Sequence, residues 1–183
     1  MPYTLFVFIA IAVAFRLAAL AISIRNEKRM LQSDAIEHHA ATSLILTIAH
    51  IGFYVAAIAE GLWRDSPISA ISVVGLILYG LAMCALVWVI CTLGRFWTIK
   101  VIIAKDHQLI SNRIFDRIRH PNYYLNIIPE LIGFTLALQA FGVLLFGLPL
   151  YVAVLSLRIR QEEKVMRSHF HKYGSVGRSL GAS

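Results

Sequence analysis

Tyr123–Leu157 reads YYLNIIPELIGFTLALQAFGVLLFGLPLYVAVLSL, an apolar stretch whose only charge is Glu130. A helix needs about 20 residues to cross a hydrocarbon core, and this stretch is too long for one comfortable crossing. It suits two arms of about 17 residues each. Gln139, Ala140, Phe141 and Gly142 are then predicted to form the turn between them. Pro129 and Pro149 fall inside the arms. Membrane helices tolerate proline when neighbours satisfy the freed carbonyls.

Three further runs flank this stretch on its N-terminal side. Tyr3–Ile24 carries only Arg16, Thr42–Trp63 carries only Glu60, and Ile68–Gly94 carries no charge. Each is long enough to span. The first has a long apolar run and no basic leader, so it reads as a span and not as a signal peptide. Across the 183 residues, 58% are hydrophobic and 15% charged, which is well below the charge of a soluble chain. The chain is therefore predicted to be an all-α integral membrane protein with five transmembrane helices, ending in a C-terminal helical hairpin.

Charge placement separates five spans from four. Arg25, Lys28 and Arg29 follow the first run; Arg95, Lys100, Lys105, Arg113, Arg117 and Arg119 follow the third; Arg158, Arg160, Lys164, Arg167, Lys172 and Arg178 follow the last. The second connection has only Arg64, offset by Asp65. Five spans put the three basic segments on one side, and the positive-inside rule makes that side cytosolic, with the N-terminus outside. An integral membrane location with the C-terminus in the cytosol is expected. The net charge of +7 is explained by orientation and by attraction to anionic membrane lipids. Nucleic acid is excluded as a partner, because no soluble domain remains to carry it. The oligomeric state is left open. Cys84 and Cys91, on one face of the third span, read as packing residues.

The chain divides into 1–94, three N-terminal spans; 95–173, an interfacial loop, the hairpin and a C-terminal helix; and 174–183, a Gly/Ser-rich end predicted to be disordered. The loop from Arg95 to Asn122 is too apolar to be free in water and is predicted to lie along the cytosolic interface. The last span is predicted to continue as a charged helix from Arg158 to about Phe170, with Glu163 and Arg167 at ion-pair spacing. Ala10, Ala14 and Ala18 have the small-xxx-small spacing of closely packed helices, within the monomer or in a dimer.

Most familiar catalytic signatures are missing. There is no GxGxxG, P-loop or GxSxG. The seven histidines form no HxxxH or HxxHH box, so no metal site is expected. Two polar clusters remain: Arg119-His120-Pro121-Asn122-Tyr123-Tyr124 at the mouth of span four, and Arg158-Ile159-Arg160-Gln161-Glu162-Glu163 at the exit of span five. A hairpin brings these ends together. Pro121 should open the helix and leave His120 and nearby backbone groups free for a ligand.

These residues also resemble a family. His107-x-Leu109-Ile110, Arg119-His120-Pro121-x-Tyr123, Arg158, and Glu162-Glu163 with Met166 and Phe170 are similar to the isoprenylcysteine carboxyl methyltransferase family. The resemblance runs from about Arg95 to Phe170. Phe96-Trp97-Thr98 and the stretch Asn122 to Gly133 further resemble a bacterial branch that O-methylates alkylpyrones, which implies the inner (cytoplasmic) membrane of a bacterium as the location. Arg113-Ile114-Phe115 stands where the family has Gly-Pro-Tyr or Gly-Val-Tyr, and Phe170-His171-Lys172-Tyr173-Gly174 stands in place of its Phe-Gly and spaced tyrosines.

The resemblance implies a cytosolic catalytic face that uses S-adenosylmethionine to O-methylate a lipophilic acceptor, either an alkylpyrone-type hydroxyl or a prenylcysteine-type carboxylate. It implies that His107, Arg119, His120, Pro121, Tyr123 and Glu162 bind cofactor. Trp97, Asn126 and Glu130 would bind substrate, Arg158 would orient the acceptor oxygen, and Glu163 would complete the polar wall. Two other readings stay open, a non-catalytic membrane scaffold and a small transporter. Intramembrane charges usually mark function. Arg16, Glu60 and Glu130 do not share one predicted depth, which counts against an ion path.

Overall fold

A computed structural model describes residues 2–32, 36–38, 40–103 and 120–169. The expectations for His107, Arg119, Phe170 and the Gly/Ser-rich end lie outside the described residues. Helices dominate: α1 (Tyr3–Leu31), α2 (Ala40–Arg64), α3 (Ala70–Leu93), α4 (Ile128–Leu138) and α5 (Leu148–His169). A π-helical segment, Asn122–Ile127, leads into α4, and another, Val143–Gly147, leads into α5. The described residues depart from the all-helical expectation in one ribbon. Strand β1 (Ile36–His38) pairs antiparallel with β2 (Val101–Ile103).

The helices are inside out by the standards of a soluble bundle. Ile11, Leu17, Leu44, Ile48, Ile51, Val55, Val74, Ile77 and Leu81 are exposed. Small and polar residues such as Ala12, Ala19, Ser23, Ser43 and Ser72 are buried. Lipid is as apolar as leucine, so nothing drives these aliphatic groups inward, and small residues take the helix contacts. Among the described residues, four helices are long and apolar enough to cross a membrane: Tyr3–Leu31, Ala40–Arg64, Ala70–Phe96 and Val143–Lys164. The remaining helical segment, 122–138, is shorter and buried, and Tyr124 is its only exposed residue.

Close packing explains that burial. Segment 122–138 crosses α3 at a glycine pair. A Cβ on Gly75 would lie 2.2 Å from the Ala137 nitrogen, and one on Gly133 would lie 2.6 Å from the Tyr79 nitrogen. Only glycine permits backbones to approach so closely. Phe134 then stacks on Tyr54 of α2 at 4.1 Å between ring centroids.

The turn between the last two helices falls where the sequence places it. Helix α4 ends at Leu138, Gln139 adopts left-handed φ 54°, and helix resumes after Ala140. Gln139 Nε2 donates to the Pro67 carbonyl at 2.7 Å. Glu60 accepts from the N–H groups of Gly142 and Val143, both at 2.8 Å, a carboxylate on an otherwise open helix N-terminus. These contacts gather the α2–α3 connection and the 139–142 turn at one end of the bundle. The β1–β2 ribbon gathers the α1–α2 connection and the segment after α3 at another.

One packing expectation is narrowed, since only the monomer alternative for the alanine stripe fails, and one is corrected. Ala10, Ala14 and Ala18 face outward, and the buried stripe of α1 is Leu5, Ala12, Ala19, Ser23, Asn26 and Met30. The face of α1 is chosen by the polar ties near its C-terminal end, which rotate the alanine stripe away. Cys84 and Cys91 are exposed on α3, because its glycine face is the one that meets α4.

Candidate functional site

Pro121 caps the Asn122–Ile127 turn, as its fixed φ suits a helix start. The His120 carbonyl is not left free. It accepts from the N–H groups of Tyr123 and Tyr124 at 3.0 and 3.2 Å. The wide π-turn sends Tyr123 and Asn126 inward and Tyr124 outward. Such turns recur at functional sites.

The two sequence clusters meet here. The His120 ring stacks on Tyr123 with centroids 5.6 Å apart. His120 Nε2 lies 3.4 Å from Glu163 Oε1, and Nδ1 lies 3.9 Å from Glu162 Oε2. The Tyr123 hydroxyl donates to Glu162 Oε2 at 2.8 Å. The two carboxylates keep 30% and 27% of their side chains exposed, so this corner is open to a ligand while His120 is buried behind it.

Arg158 is 2% exposed. Its Nη1 donates to Ser43 Oγ at 2.6 Å and its Nη2 to the Ile99 carbonyl at 2.8 Å. Its Nε is buried without a partner, and the ion pairs of the described residues do not include it. A buried cation held by neutral oxygens keeps its charge available to an anion. Arg158 and Glu163 address different partners, as their spacing on one helix requires.

Trp97 is 4% exposed and its indole N–H is unpartnered. It stands two residues before the carbonyl that holds Arg158. Asn126 donates to Asn122 Oδ1 at 3.2 Å, and its own Oδ1 is buried without a partner. Glu130 belongs to a second cluster. It pairs with Arg16 and accepts from the Tyr54 hydroxyl, with His50 Nε2 at 3.6 Å. Tyr79 reaches Tyr54 at 3.3 Å, and Tyr151 reaches His50 at 3.2 Å. Tyr151 and Arg158 are two turns apart on α5, about 10 Å along the axis.

Sequence reasoning missed Ser43, Ile99, His50 and Tyr54. Ser43, His50 and Tyr54 are isolated polar residues in an apolar run. His50 and Tyr54 at i, i+4 on one helical face were the only usable signal. Ile99 contributes a backbone carbonyl and has none.

A family model described as the isoprenylcysteine carboxyl methyltransferase family matches residues 73–168. An uncharacterized protein of Haemophilus influenzae is 42% identical over 163 residues, covering 89% of this chain and 95% of its own length. The uncharacterized protein YpbQ of Bacillus subtilis is 27% identical over 163 residues, covering 88% and 95%. No solved structure matches.

Proposed function

This chain belongs to the isoprenylcysteine carboxyl methyltransferase family, and from that premise we propose that it O-methylates a lipophilic acceptor at the site joining His120, Tyr123, Arg158, Glu162 and Glu163. The family is one of S-adenosylmethionine-dependent enzymes embedded in a helical membrane fold. The observation that carries the reading is Arg158, a buried guanidinium with an unpartnered Nε, about one helical turn before two part-exposed carboxylates.

The residues present fit the cofactor. Glu162 and Glu163 suit a ligand carrying cationic and hydroxyl groups, and the stacked His120–Tyr123 pair offers it an aromatic wall. When bound, S-adenosylmethionine supplies an electrophilic methyl group on a cationic sulfur. His120, Pro121, Tyr123 and Glu162 hold it, with His107 and Arg119 assigned to the same task by resemblance. Arg158 holds the acceptor oxygen, and Glu163 fixes the His120 ring. Trp97 and Asn126 line the acceptor side, with Glu130 deeper.

Negative charge on one side and positive on the other sort a cationic donor from an anionic acceptor. Water exclusion and positioning then supply most of the rate. An alkylpyrone-type hydroxyl and a prenylcysteine-type carboxylate both meet the requirement. Mass spectrometry of lipid extracts incubated with isotopically labelled cofactor identifies the acceptor. The methyltransferase core is 95–173.

The purified protein in detergent is expected to bind S-adenosylmethionine and its demethylated product, and His120→Ala to weaken that binding without unfolding the chain. Calorimetry with no saturation by either ligand at millimolar concentration would favour a scaffold. The internal pairing of Arg16 with Glu130 argues against a transport path.

The chain crosses the membrane five times, N-terminus outside and C-terminus inside. Support comes from the basic-residue asymmetry. It also comes from the gathering of the α2–α3 connection with the 139–142 turn, and of Ser43, Ile99 and Arg158 with one another. Reporter fusions at Met1 and after Gly174 test this, and both ends on one side would rule it out.

A further inference from the structure

Helix α1 lies outside the family match at 73–168, yet one turn of it grips the segment that holds Arg158. Gly94 ends α3 at φ 52° and ψ −121°, a backbone conformation that glycine adopts without steric cost, and the chain turns back toward α1. Asn26 Nδ2 donates to the Gly94 carbonyl at 3.0 Å and to the Trp97 carbonyl at 2.9 Å. Ser23 Oγ accepts from the Ile99 N–H at 2.8 Å. Glu27 pairs with Lys100. Ser23 and Asn26 are 2% and 6% exposed, so water does not compete for these bonds.

Ile99 is therefore fixed at both ends. Its N–H is held by Ser23, and its carbonyl holds Arg158 Nη2 at 2.8 Å. We propose that Ser23 and Asn26 are positioning residues for methyl transfer, which set the Ile99 carbonyl and through it the direction of the Arg158 guanidinium. This rests on the reading that Arg158 holds the acceptor oxygen. Anchoring α1 alone needs no such arrangement, since apolar contacts like that of Phe8 with Tyr79 can serve. Two side chains instead make three directional bonds, to the carbonyls of Gly94 and Trp97 and the amide of Ile99, which fix a backbone atom in place, and a misplacement of about 1 Å near reacting groups can cost about 100-fold in rate.

The test compares wild type, Ser23→Ala, Asn26→Ala and Ser23→Thr in detergent. It measures cofactor affinity by calorimetry and turnover of labelled methyl from S-adenosylmethionine into a bacterial total lipid extract. It also measures modification of Arg158 by phenylglyoxal, read by peptide mass spectrometry. The alanine variants are expected to lose roughly 10- to 100-fold in turnover while cofactor Kd stays within about twofold. Arg158 becomes reactive in both variants, and Ser23→Thr, which keeps the hydroxyl, restores turnover and protection. A purely structural role would lower thermal stability without separating turnover from cofactor affinity.

Wild-type protein that binds no cofactor overturns the methyltransferase reading, and this inference with it. Wild type that transfers methyl, alongside a Ser23→Ala variant that matches it, overturns this inference alone. If wild type binds cofactor but labels none of the extract, unchanged Arg158 protection in Ser23→Ala overturns the inference, and lost protection supports it.

Discussion

At Arg158 a guanidinium donates to a serine hydroxyl and a backbone carbonyl, with no carboxylate among its described partners. Lysine could keep the charge there, but its point-like ammonium cannot reproduce the planar fork that spans Ser43 and Ile99. Arg158→Lys should therefore lower turnover at least about tenfold, while cofactor affinity stays nearly unchanged, the pattern of an interaction made in the transition state. Glu163→Gln keeps the shape beside His120 and removes the charge, and should also slow turnover. If both residues only solvated a helix end, each change would cost under about 0.5 kcal/mol of stability and activity would survive. Single-turnover rates at wild-type level in both variants sink the catalytic assignment. Arg158, His120, Tyr123, Glu162 and Glu163 could be singled out from the sequence because these polar residues stand where the apolar runs begin and end. Ser43, Ser23 and Asn26 could not, because an isolated polar residue in an apolar run has a partner only once the helices are crossed.

At the scale of elements, the turn joining α4 and α5 depends on α2. Glu60 takes both leading N–H groups of the last helical stretch and is itself bonded by Arg64 at 3.0 Å, while Arg64 stacks over Phe141. Without Glu60 those donors lose their acceptor. Losing such a cap costs about 0.5–2 kcal/mol. Glu60→Ala should lower the melting temperature in detergent while cofactor affinity is retained, since the turn and the His120 site are at opposite ends of segment 122–138. An unshifted melting curve would remove the capping role. The position of this turn was legible from the length of the apolar run and from Gln139 through Gly142. The identity of its cap was not. Glu60 reads equally well as an intramembrane functional charge, and only the approach of α2 shows its use.

Across the whole molecule, the Arg16–Glu130 cluster draws on every long helix. Arg16 comes from α1, His50 and Tyr54 from α2, Tyr79 from α3, Glu130 from α4 and Tyr151 from α5. Removing one partner of a buried ion pair leaves an uncompensated charge and costs about 3–5 kcal/mol. Glu130→Leu should therefore unfold the bundle more readily than Arg16→Met with Glu130→Leu together, where neither charge remains. Denaturant unfolding in detergent measures this. A double variant as unstable as Glu130→Leu alone would show that the charges are not coupled.

The sequence by itself determined the membrane class, the placement of the apolar runs, the turn before the last helix and the meeting of His120 and Tyr123 with Glu162 and Glu163. These follow from length, hydropathy and charge counted along the chain, which need no knowledge of neighbours. Tertiary structure alone decided which side chains neutralise one another: Arg16 with Glu130, Glu60 with the 142–143 amides, Ser23 with Ile99 and Ile99 with Arg158. In lipid no water stands ready as an alternative partner. Each buried polar group is thus satisfied only by what the helix crossings bring within about 3 Å, and at Gly75 and Gly133 those crossings are set by backbone contact.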